Sequence, residues 1–197
     1  MYNKINITEN GLQIISLFTN GFDREYYIRE VEKLLKISPR TAQLILEDLE
    51  NKGIIESKVR GKIKSYKLKI NELSNRYLTF VEQYKSIAFM EKNLLVKEII
   101  EKISPFINGI GIIFGSYAKG TEKDDSDIDM FIIGDKKGRD YVSSGEKFDL
   151  DISVKYFQPD IFRDLLGKKN PLAMEIMENH ILLSGFEQFM RLRKDEK

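Results

Sequence analysis

Residues 110–133, IGIIFGSYAKGTEKDDSDIDMFII, decide the fold of the C-terminal half of the chain. A first apolar run stops at Gly115-Ser116, and a second apolar run follows the pair Asp127 and Asp129. Short apolar runs that are bounded by a turn signal are typical of buried strands. Because residues two apart in a strand point to the same face, Asp127 and Asp129 are expected to project together beside the glycine turn.

Two neighbouring carboxylates repel each other unless a positive charge lies between them. A hard cation such as Mg²⁺, held by carboxylate oxygens, is their natural partner. Gly115 allows the backbone to come close to a ligand, and Ser116 adds a hydroxyl group. Ala118, Lys119 and Gly120 fit the first turn of a helix, whose free N–H groups attract phosphate oxygens. The stretch therefore predicts a site for a metal ion and a phosphate group.

The order of these motifs is more informative than either motif alone. A lone Gly-Ser is usually a turn, and a lone Asp-x-Asp is usually a solvated strand end. Here GSYAKG ends one strand and SDIDMF opens the next, about ten residues later. This arrangement resembles the signature of the polymerase-β-like nucleotidyltransferase superfamily, and most of all its minimal nucleotidyltransferases and their archaeal and bacterial relatives that are fused to a winged helix. The resemblance extends from about residue 107 to the C-terminus.

The resemblance implies that a nucleoside monophosphate, AMP in our expectation, moves from a nucleoside triphosphate to a hydroxyl acceptor by a two-metal-ion mechanism. It implies that Asp127 and Asp129 hold Mg²⁺ or Mn²⁺. A third carboxylate, which holds the ion that activates the acceptor hydroxyl, is expected on the next strand, FDLDISVKYF. Asp151 is the first choice for this role and Asp149 the alternative, since alternation puts both on one face. The residues expected to bind the triphosphate are Gly115, Ser116, Lys119 and Ser126.

The first 70 residues predict three helices and a hairpin. Apolar residues recur at helical spacing in three segments. Ser38-Pro39 predicts the start of the third helix and Gly53 its end. The predicted elements are helices over 7–18, 27–35 and 39–52 and strands over 54–59 and 63–68. This order resembles a winged helix-turn-helix domain, with the third helix as recognition helix and the hairpin as wing.

Lysines and arginines on this hairpin favour contact with the phosphate backbone of double-stranded DNA. The recognition helix is not strongly basic, and a winged helix used for protein contact, whose lysines only solvate an edge hairpin, is the alternative. The residues expected to contact DNA are Arg40, Thr41, Gln43, Lys58, Arg60, Lys62 and Lys64.

The apolar residues of segment 71–103 recur every three to four positions, which predicts a segment that starts as a linker helix and ends as the first helix of the catalytic domain. Its apolar stripe also suits a homodimer contact, which two-fold half-sites on DNA favour. After the Asp-x-Asp strand, the glycine-rich connection 134–147 predicts a loop or tight hairpin where the relatives have a longer helix. The remaining predicted elements are a strand over 148–157, helices over 159–166 and 171–178, a strand over 180–183 and a terminal helix. His180 is expected at a strand end and not as a ligand.

The predicted fold class is α/β (α+β) with three parts. Residues 1–70 form the winged helix-turn-helix domain, residues 71–103 the linker helix, and residues 104–197 the nucleotidyltransferase domain, which is a small mixed sheet flanked by helices.

Composition excludes several kinds of site. The chain has no cysteine and one histidine, which excludes disulfides, thiolate sites and a histidine-rich zinc site, so a metal must be held mainly by oxygen. Residues 1–70 carry 13 basic and 9 acidic side chains, and residues 104–197 carry 14 and 17, which suggests different partners for the two halves. No stretch approaches the ~20 apolar residues of a membrane span and the N-terminus lacks a signal-peptide core, so a cytoplasmic protein without a membrane partner is expected.

Two classes of function follow from the sequence. The first is an active nucleotidyltransferase tethered to a DNA-binding winged helix, whose acceptor is a hydroxyl of a protein, a nucleic acid or a small molecule. The second is a DNA-binding transcriptional regulator whose nucleotidyltransferase domain only senses a nucleotide or is inactive. A toxin–antitoxin component with a helical toxin partner is a third reading, which the resemblance to minimal nucleotidyltransferases implies.

Overall fold

The computed structural model of the chain describes residues 5–21, 23–123, 126–134 and 151–194. The chain divides into two compact units, Met1–Val81 and Glu82–Lys197. Each unit has its own β-sheet, with three described strands in the first and four in the second.

The N-terminal unit contains the three helices and the hairpin that the sequence predicts. Its elements are α1 (Glu9–Leu17), β1 (Tyr26–Tyr27), α2 (Ile28–Leu35), α3 (Pro39–Asn51), β2 (Ile55–Arg60) and β3 (Ile63–Leu68). The strands are antiparallel in the order β1-β3-β2. Helix α3 begins where predicted, because the Ser38 hydroxyl accepts the Thr41 amide N–H at 3.0 Å and Pro39 occupies the first turn. Strand β1 was not predicted, since two residues are too short to show alternation.

Aromatic side chains close the core of this unit. Tyr26 and Phe18 are both fully buried, and their rings meet edge to face at 5.1 Å. The Tyr26 hydroxyl donates to the carbonyl of Leu17 at 2.9 Å, so its polar end is satisfied. This contact fixes β1 against the end of α1.

The predicted linker helix is divided in two. Helix α4 covers Glu72–Lys92 and α5 covers Leu94–Ile103. Between them Asn93 leaves the helical region, with φ −116° and ψ 73°, and its side-chain amide donates to the Phe89 carbonyl at 2.9 Å. An asparagine that bonds the preceding turn competes with the helix ladder, which is the physical reason for the break.

The second unit is built on a mixed sheet, in agreement with the predicted α+β class. Its strands are β4 (Gly109–Phe114), β5 (Ile128–Gly134), β6 (Ile152–Phe157) and β7 (Ile181–Ser184), in the order β6-β5-β4-β7. Strand β4 is antiparallel to β5 and β7, and β5 is parallel to β6. The described helices that follow α5 are α6 (Gly115–Lys119), α7 (Pro159–Gly167), α8 (Pro171–Glu178) and α9 (Phe186–Lys194), after a short 3₁₀ turn at Ser104–Phe106.

The two faces of this sheet bury different side chains. Ile128, Met130 and Ile132 of β5 belong to an apolar cluster with Ile99 and Ile103 of α5. On the other face, Phe131 packs against aromatic rings of three elements, which are Phe114, Phe157 and Phe162. Because the side chains of β5 alternate, Asp129 lies on the same face as Phe131.

Three boundaries in this unit differ from the prediction. The sequence placed the first turn of a helix at Ala118–Gly120, but α6 begins at Gly115 and ends at Lys119. Gly120 caps it, since its φ of 66° is the left-handed conformation that terminates helices. The strand predicted over 180–183 covers Ile181–Ser184. The described part of the strand predicted over 148–157 begins at Ile152. Residues 148–150 of that strand, and the predicted loop from 135 to 147, lie outside the described residues.

Candidate active site

The site lies where β4 ends and β5 begins. Phe114, the last residue of β4, pairs with Asp129 in the antiparallel register, and the chain turns into α6 at Gly115. Gly115 has φ +70°, and a Cβ atom at this position would lie 2.5 Å from Oδ2 of Asp129. Only glycine therefore allows the turn and the carboxylate to come this close.

Helix α6 is fixed from beneath by a buried aromatic residue. Tyr117 is 9% exposed and belongs to the apolar cluster under the sheet. Its ring meets that of Phe89 edge to face at 6.4 Å. The turn that carries Gly115 and Ser116 is thus held against the core, and Ser116 itself is half-buried.

Three of the predicted carboxylates lie at one end of the sheet, where β5 and β6 begin. Asp127 precedes β5 and Asp151 precedes β6, and the parallel register pairs Ile128 with Ile152. The Asp151 carbonyl accepts the Ile128 amide N–H at 2.8 Å, so the register places Asp151 opposite Asp127. Asp127 and Asp151 are exposed, whereas Asp129 is half-buried. The alternative third carboxylate, Asp149, lies outside the described residues.

The electrostatic surroundings of Asp129 disfavour its charged form. Burial is the main cause that raises the pKa of Asp129 above its usual range. The charges of Asp127 and Glu175 raise this pKa further, while the ammonium group of Lys155 opposes the shift. A carboxylate in this position is stabilised by added positive charge.

The other residues predicted to bind phosphate have partners within the protein. The Lys119 ammonium lies 2.5 Å from a carboxylate oxygen of Glu175, which belongs to α8. The Ser126 hydroxyl accepts the Lys123 amide N–H at 2.8 Å and so closes the turn before β5. The Ser116 carbonyl accepts the Thr121 N–H at 3.0 Å. The Ser116 hydroxyl takes no part in this hydrogen bond.

Two charged residues of this region were missed in the sequence. Lys155 could have been found, because the alternation that places Asp151 and Ser153 on one face continues to Lys155. Glu175 carried no such signal, since it reaches Lys119 across 56 positions of sequence through the packing of α8.

The oxygen donors suit a hard cation bound together with a ligand. In the part of the chain that the structure describes, no three histidine, cysteine or acidic side chains are grouped so that they could hold a metal ion alone. Mg²⁺ is commonly held by one or two carboxylates plus substrate phosphates, and not by a cage of protein ligands. The close approach of the Asp129 carboxylate to Gly115, with the charge of Asp127 acting on it, fits such a site.

The residues predicted to contact DNA lie in the N-terminal unit and several are engaged with neighbours. On α3, the Gln43 amide donates to Glu47 at 2.8 Å and the Thr41 hydroxyl bonds with that of Ser38 at 2.8 Å. Arg40 is exposed at the start of the same helix.

The hairpin of β2 and β3 carries the other four predicted residues. Lys64 is paired with Glu50 at 2.7 Å and Arg60 with Glu25 at 3.5 Å. Lys58 and Lys62 are exposed, and within the described ranges neither has a carboxylate within salt-bridge distance. Among the described residues, the hairpin therefore presents two cations outside salt bridges, of which Lys58 still acts on the charge of Glu25, and two that are paired.

A comparison with known protein families finds one match. Residues 96–187 match the family described as Polymerase beta, Nucleotidyltransferase. The matched segment contains β4 to β7 and the Gly115–Asp129 approach, and it confirms the polymerase-β-like part of the resemblance. No curated protein and no solved structure matches the chain. The winged helix of the N-terminal unit stays a prediction. Among the described helices, none combines the length and apolar character that crossing a membrane requires.

Proposed function

We propose that the chain is a metal-dependent nucleotidyltransferase that moves a nucleoside monophosphate, AMP in the first instance, from a nucleoside triphosphate to a hydroxyl acceptor. The observation that carries the proposal is the close approach of Asp129 to Gly115 inside the segment that matches the family. A carboxylate held against a glycine turn puts a metal ligand beside backbone that a triphosphate can approach.

Each site residue has a role in this proposal. Asp127 and Asp129 hold Mg²⁺ or Mn²⁺, which, when bound, stabilises charge on the attacking and leaving oxygens. Gly115 and Ser116 bind the triphosphate through backbone N–H groups and the Ser116 hydroxyl. Asp151 contributes a further metal-binding oxygen and accepts the proton of the acceptor hydroxyl.

The reaction needs no covalent intermediate on the protein. The acceptor oxygen forms a bond to the α-phosphorus, the bond between that phosphorus and the β-phosphate oxygen breaks, and pyrophosphate leaves. The hydroxyl proton goes to a carboxylate, in this proposal that of Asp151, which directly precedes β6. Asp149 stays the alternative base, and Ser126 contributes to the site by closing the turn before β5.

DNA binding by the N-terminal unit is the second candidate function, as a winged helix that tethers the enzyme or makes the chain a regulator. The specific observation is that Lys58 and Lys62 on the hairpin are exposed and form no salt bridge with any described residue. Phosphate contacts of this kind position a protein on a duplex. A homodimer through α4 fits the same function, since Leu73 and Phe80 are about half exposed one heptad apart.

The enzyme is tested by incubating the protein with each α-labelled nucleoside triphosphate, Mg²⁺ and host lysate. Label should appear in a protein, nucleic-acid or small-molecule fraction and be absent with the Asp127→Asn/Asp129→Asn double variant. Asp160→Asn, which removes an exposed carboxylate from α7, is the matched control and should transfer label like wild type. Nucleotide binding without transfer by the wild type would favour the regulator instead.

A further inference from the structure

Lys119, the lysine that the motif offers for phosphate binding, is already paired in the structure. Its ammonium nitrogen lies 2.5 Å from Glu175, and both side chains are only about two-fifths exposed. The pair connects α6 with α8 across the edge of the site. A phosphate group at Lys119 would share the ammonium group with this carboxylate, whose negative charge repels it, so the pair is a tie between two helices more than a ligand site.

A different lysine lies on the face that carries the carboxylates. In the parallel register, Ser153 of β6 pairs with Asp129 and Lys155 pairs with Phe131. Cross-strand partners share a face of the sheet, so Lys155 belongs to the face of Asp129. The lysine is exposed, in contrast to the buried Phe131 beside it.

A second observation locates the ammonium group of Lys155. It lies 5.5 Å from the ring centroid of Phe114, the residue that immediately precedes Gly115. This is within the range of a cation–π contact. The side chain of Lys155 therefore extends over the end of β4 and brings its charge to the glycine turn.

Among the described residues, the neighbours of Lys155 leave its charge available to a ligand. Among the residues that the structure describes, no carboxylate lies within salt-bridge distance of it. Its charge acts on Asp129 and partly compensates that carboxylate while no metal ion is bound. Once a divalent cation compensates Asp127 and Asp129, the ammonium group can turn its donors to another anion.

We propose that Lys155 binds an anionic phosphate oxygen of the nucleoside triphosphate, and that Lys119 instead holds α6 to α8 through Glu175. This inference rests on the nucleotidyltransferase function proposed above and assigns to that site a phosphate-binding residue that lies outside the Gly-Ser and Asp-x-Asp motifs.

The test compares Lys155→Met with Lys119→Met, which removes another exposed ammonium group, that of α6. Binding of ATP, ADP and AMP is measured by titration calorimetry in the presence of Mg²⁺, and Mg²⁺ binding is measured without nucleotide. Lys155→Met should weaken ATP binding about tenfold or more, as loss of a charge-assisted hydrogen bond predicts, and should affect AMP least. Its Mg²⁺ affinity without nucleotide should stay or rise, because a repelling charge is gone. Lys155→Arg should retain most of the ATP affinity.

Lys119→Met should bind ATP within about twofold of wild type and unfold at a temperature that is at most slightly lower, because only a partly exposed ion pair is lost. ATP binding by Lys155→Met equal to that of wild type would overturn the inference alone. Equal losses in both variants would overturn the division of roles between the two lysines. A wild-type protein that binds Mg²⁺ but no nucleoside triphosphate would refute the proposed function, and this inference with it. Lys155→Gln, with thermal unfolding as a check on folding, replaces Lys155→Met should that variant not fold.

Discussion

A methyl group on Gly115 would lie 2.5 Å from the Asp129 carboxylate, nearer than nonbonded carbon and oxygen atoms approach. Gly115 directly follows β4, whose last residue, Phe114, pairs with Asp129 of the adjacent strand β5. The left-handed conformation of Gly115 and the position of Asp129 are therefore one structural unit, in which the turn and the carboxylate fix each other.

Gly115→Ala should abolish nucleotidyl transfer and weaken metal binding, because either the turn or the Asp129 carboxylate must move. The left-handed backbone adds a cost of about 1–2 kcal/mol for a residue with a Cβ atom. Gly120→Ala is the matched control, since Gly120 has a similar φ of +66° but a Cβ atom there would meet no described atom within 4 Å. It should lose stability and keep metal binding. Equal Mn²⁺ affinities of the two variants, measured by calorimetry with ATP present, would contradict the prediction.

Mg²⁺ should bind more tightly with a triphosphate present than without it, because phosphate oxygens complete the coordination shell that Asp127 and Asp129 begin. Titration calorimetry with and without ATP measures this difference. The Asp127→Asn/Asp129→Asn double variant should lose the binding. Metal affinity in that variant equal to that of wild type would show that the ion binds elsewhere.

Asp151→Asn should lose label transfer and keep nucleotide binding, because the proposed role of Asp151 concerns the acceptor hydroxyl. Single-turnover transfer assays and calorimetry with ATP separate the two properties. Asp149→Asn is the companion variant and should retain transfer. The opposite result, an inactive Asp149→Asn with an active Asp151→Asn, would assign the third carboxylate to Asp149.

The sequence allowed prediction of those features that depend on local patterns. Alternation and apolar runs located β4 and β5, and the cap at Ser38-Pro39 located α3, because both depend on neighbours in sequence. The break at Asn93 and the start of α6 at Gly115 were missed, since a hydrogen bond to the preceding turn and a left-handed glycine decide them.

The charged residues around the site differ in how far they could be predicted from the sequence, because their positions depend on tertiary structure to different degrees. Alternation along β6 predicts the face of the sheet on which Lys155 lies, but it does not predict the approach of Lys155 to the Phe114 ring. Glu175 was not readable at all, because the packing of α8 on the domain brings it to Lys119. The motif itself was therefore predictable from the sequence, whereas the contacts that Lys155 and Glu175 make around it were not.

His180, the one histidine of the chain, should make stability depend on pH. It is buried at 2% exposure, and its Nδ1–H donates to the Ile176 carbonyl at 2.9 Å. Burial, and then the charge of Lys85, lower the pKa of His180 below its ordinary 6.5, although Glu82, 3.2 Å from Nε2, acts in the opposite direction. Below about pH 6.5 the unfolded chain then binds a proton that the folded chain does not.

The free energy of unfolding should therefore fall as pH decreases through about 6.5, and it should be at its full value above that pH. Urea denaturation at pH 7.5 and pH 5.5 measures the change. His180→Asn, whose amide can still donate to Ile176, should be less stable overall and show a smaller change over this interval. An unaltered pH dependence in that variant would assign the effect to carboxyl groups.

The cations on the hairpin of β2 and β3 differ in whether they form an ion pair with a described carboxylate. Lys58 and Lys62 are exposed, whereas Lys64 donates to Glu50, which also accepts from the Ser57 hydroxyl. The Lys64 and Ser57 hydrogen bonds hold the pKa of Glu50 below its usual range, so this carboxylate is stabilised in its charged form. Lys64 is consequently expected to serve the hairpin more than a ligand.

Replacing Lys58 and Lys62 together by alanine should weaken binding to all DNA duplexes alike and reduce the salt dependence by roughly two phosphates, because each lysine releases about one counterion. Fluorescence anisotropy at several salt concentrations measures the slope, with duplexes first selected from a random pool. Lys64→Ala is the control that should lower the unfolding temperature while it changes the slope less, since its charge is compensated by Glu50. Gln43→Ala, on α3, should instead alter which sequences are preferred. Folded wild-type protein that binds no duplex at low salt would refute DNA binding and leave the enzymatic proposal standing.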